Sequence, residues 1–209
     1  MQRATEQRMR LGTGREHMIY IIRHGQTELN NANVLQGRSD CPLNETGVAQ
    51  AREVGQRLMG QGIVFSYVYS SPLKRAIQTA ELIAQDKPIA VDDRLIEMDY
   101  GPYEGMDLEY PPPEIATFFS DFVNNPAPEG MEHLSTVVQR TGAFLEDIKE
   151  LPGNILISTH AIAMKGALEY LTPASKGSYW SKYIGNCAVY AATNIDGQIG
   201  VPKEVKISY

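Results

Sequence analysis

The sequence predicts one α/β domain in three layers: a mostly parallel sheet with helices on both faces. Three observations carry this. Short apolar runs rich in β-branched and aromatic residues recur along the chain, each of strand length. Most are followed by a loop and then by apolar residues at helical spacing, the strand–loop–helix unit that favours parallel pairing through crossovers. The chain has 209 residues, 43% hydrophobic and 21% charged, which suits a single domain with a sizeable core.

Taken in order, residues 18–22 form the first buried strand, and a polar loop fills 23–44. Residues 46–59 place Val48, Ala51, Val54 and Leu58 on one helical face. A second strand covers 65–69. Pro72 suits the first turn of a helix running to about Ala84, because its missing N–H has no role there. Residues 89–91 form a short strand. Residues 95–130 read as a cap-like excursion, with Pro111, Pro112, Pro113, Pro126 and Pro128 among aromatics and one short helix at 114–122. Helical periodicity returns at 134–148, a buried strand at 154–158 and a helix at 161–171. Late strands are expected at 188–192 and 201–207.

Residues 1–17 are polar and carry Arg3, Arg8, Arg10 and Arg15 without the apolar centre of a signal peptide, so they read as a disordered extension or tag before a domain at 18–209. Cys41 and Cys187 lack metal or disulfide-motif spacing and read as reduced thiols of a cytoplasmic protein. No apolar run reaches membrane-spanning length, so no membrane partner is expected. A net charge of −6 argues against non-specific nucleic-acid binding. The sequence is silent on oligomeric state.

In doubly wound sheets ligands bind beyond the C-terminal strand ends, and reactive residues gather there. Arg23-His24-Gly25 follows the first strand, Ser70 to Arg75 the second, and Thr159-His160-Ala161 the strand at 154–158. Helix N-termini nearby favour an anion. A neutral imidazole is a nucleophile, and Arg23 and Arg75 would keep His24 neutral. Guanidinium groups match phosphate oxygens, and His160 can donate to another. Glu97 is the expected proton donor to the leaving oxygen, with Asp99 and Glu104 as rival carboxylates.

These residues carry a resemblance. Arg23-His24-Gly25-Gln26-Thr27 with Asn30 resembles the signature of the histidine phosphatase superfamily, the phosphoglycerate-mutase-like group. Gln36-Gly37-Arg38, Pro42 to Gly47, Ser70 to Ala76 with Thr79-Ala80, Leu95-Ile96-Glu97 with Gly101 and Glu104-Gly105, and Thr159-His160 resemble further blocks in the same order. Pro128, Gly130, Glu132 and Arg140 match another loosely. The resemblance implies a phosphoglycerate-mutase-like fold and hydrolysis of phosphate monoesters through phosphorylated His24. Arg23, Arg75 and His160 would hold the phosphoryl group, and Glu97 would move the proton. Asn30, Gln36, Gly37 and Ala161 would touch phosphate or substrate; Ala161 stands where the family often has Gly. It implies no metal and no organic cofactor, and a small phosphorylated metabolite as partner.

A cofactor-dependent phosphoglycerate mutase, primed by 2,3-bisphosphoglycerate, is the alternative, and an inactive phosphate-binding regulator a third. Mutases of the family carry a basic insertion after the acid block. Residues 95–139 here hold no Lys or Arg but hold Glu97, Asp99, Glu104, Asp107, Glu109, Glu114, Asp121, Glu129 and Glu132. That charge is expected to repel a carboxylated or doubly phosphorylated substrate. Arg38, Lys74 and Lys165 remain as cations able to meet a second anion. Tyr100, Tyr103, Tyr110, Phe118, Phe119 and Phe122 either line the pocket or pack the excursion.

Overall fold

A computed structural model describes residues 16–206. All but the last two positions of the expected extension fall outside them, as does residue 207 of the expected last strand. The elements are β1 (His17–Arg23), α1 (Glu28–Asn31), α2 (Glu45–Gly60), β2 (Phe65–Ser70), α3 (Lys74–Ala84), β3 (Ile89–Val91), α4 (Pro113–Ser120), α5 (Leu134–Ile148), β4 (Asn154–Thr159), α6 (Ala161–Leu171), β5 (Val189–Ile195), β6 (Gln198–Ile199) and β7 (Lys203–Glu204).

The strands join in the order β3-β2-β4-β1-β5-β6, with β7 also on β5. The first four run parallel; β5 turns back against β1. Side chains alternate across a strand, so β1 feeds two cores. Ile19 and Ile21 meet Phe144, Leu145 and Ile148 of α5 and Met164 and Leu168 of α6. Tyr20 and Ile22 meet Ala51, Val54 and Leu58 of α2 and Ala80 and Ile83 of α3. Each fully buried Ile or Leu here contributes about 1.5–3 kcal/mol, which fixes the central strand and everything at its end.

The excursion brings a third core. Met98, Tyr100, Ile115, Phe118 and Met131 pack with Leu35, Val137, Ile162 and Trp180. Leu35 N–H donates to Met106 O and Gly105 N–H to Leu35 O, stitching the excursion to the loop after β1.

The structure extends β5 to Ile195, adds β6 and ends the excursion helix at Ser120, and it differs from the sequence reading at four further places. His17 is part of β1 opposite Asn194, because β5 is long enough to reach it. The 23–44 loop contains α1, started by a capping box in which Thr27 and Asn30 exchange side-chain bonds with each other's backbone. Helix α3 begins at Lys74 rather than Pro72: Leu73 is extended at φ −76°, ψ 137°, and the Lys74 amide donates to Asp40. Of the described residues 201–206 only Lys203–Glu204 pairs as a strand, after Pro202, which has no N–H for a ladder.

Candidate active site

The register of the sheet assembles the site. Arg23 pairs with Thr159 and Ser70 with Ser158, so β1, β4 and β2 end level with one another. His24 N–H donates to Thr159 O and Ser71 N–H to Ser158 O, carrying the ladders one residue past the strands. His24, His160 and Ser71 therefore stand side by side on three adjacent strands. The two imidazole centroids lie 5.1 Å apart.

His24 is almost wholly buried. Its Nδ1 lies 2.7 Å from Gly25 O, an acceptor only, so Nδ1 carries the proton. The lone pair is then on Nε2, where Arg75 Nε donates at 3.1 Å. Burial, then Arg75 and Arg23, holds the ring well below the usual histidine range; it is a neutral base with a directed lone pair. The loop behind it is pressed tight. A Cβ on Gly25 would sit 2.5 Å from Gly47 O, and Gly25 N–H donates to Thr79 Oγ1.

Arg75 is fully buried and fixed. Its two terminal nitrogens donate to Ser39 O and Gly37 O, both at 2.6 Å. Arg23 donates to Ile184 O at 2.6 Å. Burial lowers both guanidinium pKa values, and Glu97 opposes this. His160 Nε2 lies 2.7 Å from Ser71 Oγ, and its ring is likewise held well below its ordinary value by burial, Arg75, His24 and Arg23. Three buried polar atoms of these site residues lack a partner among the described residues: Arg23 Nε, His160 Nδ1 and Gln36 Nε2. Buried polar groups are normally bonded, so these three atoms are available to a bound group.

Glu97 is 3% exposed and faces the N-terminus of α6, directly after His160. Its Oε1 accepts the N–H groups of Met98 (2.9 Å) and Ala163 (3.0 Å), and Oε2 accepts that of Ile162 (3.2 Å). The carboxylate caps the helix while facing Arg23 and Arg75. The rival acids are spent elsewhere. Asp99 pairs with Arg38 at 3.0 Å. Glu104 accepts the backbone N–H groups of Gly37, Arg38 and Ser39. Arg140 reinforces Glu97 from behind, donating to Arg94 O and Ile96 O and pairing with half-buried Glu132. The loosely matched block thus clamps the acid segment.

Of the remaining expected residues, Gln36 Oε1 accepts from Thr27 Oγ1, leaving its amide nitrogen open. Ala161 opens α6 beside His160. Gly37, expected to touch phosphate or substrate, has its N–H taken by Glu104 at 2.9 Å and offers its carbonyl to Arg75. Asn30 Oδ1 accepts from Asn186, whose amide also donates to His24 O. Ser71, Ile184 and Asn186 were missed by the sequence reading. Ser71 lies inside a motif block and was legible; the loop at 184–188 carries no chemical pattern, because it works through carbonyls and one amide. Cys187 in that loop has its thiol pushed up to about 12 by burial, which makes it inert. Among the described residues no helix is long and apolar enough to cross a membrane.

Phe118 is in the third core and Tyr110 is exposed, so both serve packing or surface rather than a pocket. Tyr100 is buried and lies in the field of Glu97, Arg23 and Arg75; burial, the largest cause, pushes its hydroxyl well above the usual tyrosine value.

Known proteins bear on this geometry. The family model of the histidine phosphatase superfamily (branch 1) matches residues 19–203. Phosphoserine phosphatase 1 of Hydrogenobacter thermophilus is 29% identical over 197 residues, 91% of this chain and 92% of its own length. The probable phosphoglycerate mutase GpmB of Yersinia pestis is 36% identical over 154 residues, 70% of each chain. A solved structure of a phosphoserine phosphatase variant from Entamoeba histolytica, in complex with phosphoserine, aligns with a TM-score of 0.76 at 26% identity, covering 91% of this chain and 95% of that one. With the match spanning nearly the whole described chain and two histidines, two arginines and a carboxylate gathered at one sheet edge, the chain belongs to the histidine phosphatase superfamily, branch 1, and is a phosphatase.

Proposed function

We propose that the protein hydrolyses small-molecule phosphate monoesters through a phosphohistidine on His24 Nε2. The observation that carries this is a proton-free Nε2 beside three unpartnered buried groups on Arg23, His160 and Gln36. In the first step the Nε2 lone pair attacks phosphorus and the ester P–O bond breaks. The leaving oxygen takes a proton from Glu97, at Oε2, the oxygen with only one N–H partner. In the second step Glu97 takes a proton from water. The resulting hydroxide attacks phosphorus, the P–N bond breaks, and phosphate leaves.

Arg75, Arg23 and His160 stabilise the charge on the equatorial oxygens, which is the main contribution a protein makes to phosphoryl transfer. Arg75 Nε passes its hydrogen bond from His24 to the incoming phosphoryl group. In this reading Ser71 Oγ–H donates to His160 Nε2, 2.7 Å away. The His160 proton then sits on Nδ1, turning the orphan atom into a donor for phosphate. No metal or organic cofactor takes part in these steps.

Support for small phosphorylated substrates comes from the Hydrogenobacter relative, named a phosphoserine phosphatase, and from the Entamoeba structure, which contains phosphoserine. The GpmB relative keeps a mutase as the alternative, which would need 2,3-bisphosphoglycerate.

The test is a panel of phosphate monoesters plus 3-phosphoglycerate, with and without 2,3-bisphosphoglycerate, following phosphate and 2-phosphoglycerate together. Phosphate release that disappears in His24→Ala is expected. Formation of 2-phosphoglycerate as the main product would replace the phosphatase reading by the mutase one. Tight phosphate binding without any turnover would leave only a regulator.

A further inference from the structure

Lys165 lies on α6, five residues beyond His160, and only 8% of it is exposed. Its Nζ donates to Trp180 O at 2.8 Å and stands 5.3 Å from the centre of the Phe122 ring. An ammonium has three N–H donors. One is used, and no carboxylate lies within ion-pair distance among the described residues. Burying a charge without a counter-charge is costly. The cost shows as a pKa lowered to about 8 by burial, with Glu97 and Arg23 the charged groups it faces. Phe122 and Trp180 supply its uncharged walls. Of the acids of the excursion, Glu97 is the one whose charge acts on it. Asp99 and Glu132 are tied to Arg38, Glu132 also to Arg140, and Glu104 to the 37–39 amides. The charges of these three acids are therefore met locally, by Arg38, Arg140 and the 37–39 amides.

Lys165 is also on the productive side of the site. The proton of the leaving oxygen comes from Glu97, so the alcohol portion extends from phosphorus toward Glu97 and the group Glu97 faces. The other two cations named near motif positions are already in ion pairs: Arg38 with Asp99, and Lys74 with Asp40. A single open positive charge matches a monoanion.

We propose that Lys165 anchors a carboxylate on the alcohol portion of the substrate, so that the preferred substrates are phosphate monoesters of hydroxy acids or hydroxy amino acids. The proposal rests on the hydrolytic reading above and adds the substrate class to it.

The experiment compares matched pairs that differ by one carboxylate: phosphoserine with phosphoethanolamine, and 3-phosphoglycerate with glycerol 3-phosphate. The wild type is expected to favour the carboxylated member by about tenfold or more in kcat/KM, as one ionic hydrogen-bonded contact implies. In Lys165→Met, which keeps the stem that packs on Phe122, that ratio is expected to fall toward one, while Lys165→Arg keeps part of it. The preference is also expected to fade above about pH 8 as the ammonium loses its proton. A wild-type ratio near one overturns the proposal, as does a ratio that survives Lys165→Met. An equal loss for both members of each pair assigns Lys165 to packing and overturns it as well. Calorimetric binding of the same pairs to His24→Ala, with and without Lys165→Met, reads the discrimination without turnover. That arm separates a failure at Lys165 from a failure of the hydrolytic mechanism.

Discussion

Glu97→Gln tests two roles of one side chain. The carboxylate accepts three N–H groups, two on Oε1 and one on Oε2. A glutamine keeps one acceptor. With its oxygen toward Met98 and Ala163, its NH₂ group faces the Ile162 N–H, donor to donor. Leaving that amide unpaired costs about 1–3 kcal/mol. Losing the negative charge at the start of α6 removes about 0.3–1 kcal/mol more. Relief of the buried charge offsets part of this, so the net loss is about 2 kcal/mol. For a chain of this length that lowers Tm by about 4–8 °C. The kinetic effect depends on the leaving group. Because kcat/KM reports the steps up to departure of the alcohol, Glu97→Gln should cost about 10²-fold or more for alkyl phosphates. For p-nitrophenyl phosphate, whose leaving oxygen needs no proton, the loss should be under about tenfold. The second step still lacks its base, so p-nitrophenyl phosphate should show a burst. An unchanged Tm would refute the capping role. Equal losses in kcat/KM across leaving groups would refute the acid role.

Ser71→Ala should free His160 Nε2 to take the ring proton, so that Nδ1 no longer donates. A loss of about tenfold in kcat/KM is expected with little change in KM, and ¹⁵N shifts of His160 should report the other tautomer; unchanged shifts would remove Ser71 from this role. Stability should depend on pH through His24 and His160, whose rings are held well below 6.5 in the folded state by burial and by Arg75. Below pH 6.5 the unfolded chain takes up protons that the folded chain refuses. Stability therefore falls with acid by up to about 2.7 kcal/mol per pH unit for the two rings, and is level above that value. Urea unfolding at pH 7.5, 6.5 and 5.5 should show the slope, and His24→Asn should halve it. A flat profile would mean that the rings are not buried as neutral bases.

Much of this architecture was legible because it rests on local pattern. Apolar runs located β1 to β4, and periodicity located α5 and α6. His24 and His160 stood one position beyond β1 and β4, where a doubly wound sheet presents reactive residues. Four things were not legible. The short helix α1 depends on a capping box of four residues, too brief for any period. The spending of acids could not be counted from composition: residues 95–139 look repulsive as a list, yet Arg38, Arg140 and the 37–39 amides absorb Asp99, Glu104 and Glu132. The hold of Glu104 on the Gly37 amide was not legible because a backbone amide does not announce its partner in sequence. Arg140 and Glu132, only loosely matched, turn out to hold the acid segment through carbonyls, which no motif encodes.

The place of β1 has a consequence for assembly. The first strand made sits between β4 and β5, two of the last. Ile184 O holds the Arg23 side chain, Cys187 N–H bonds to the carbonyls of Arg23 and His24, and Asn186 steadies Asn30. A chain cut after α6 would keep every residue of the signature and still leave Arg23 without its brace. Pairings this distant in sequence close slowly, so a nascent chain completes this site late, as a finishing event of folding.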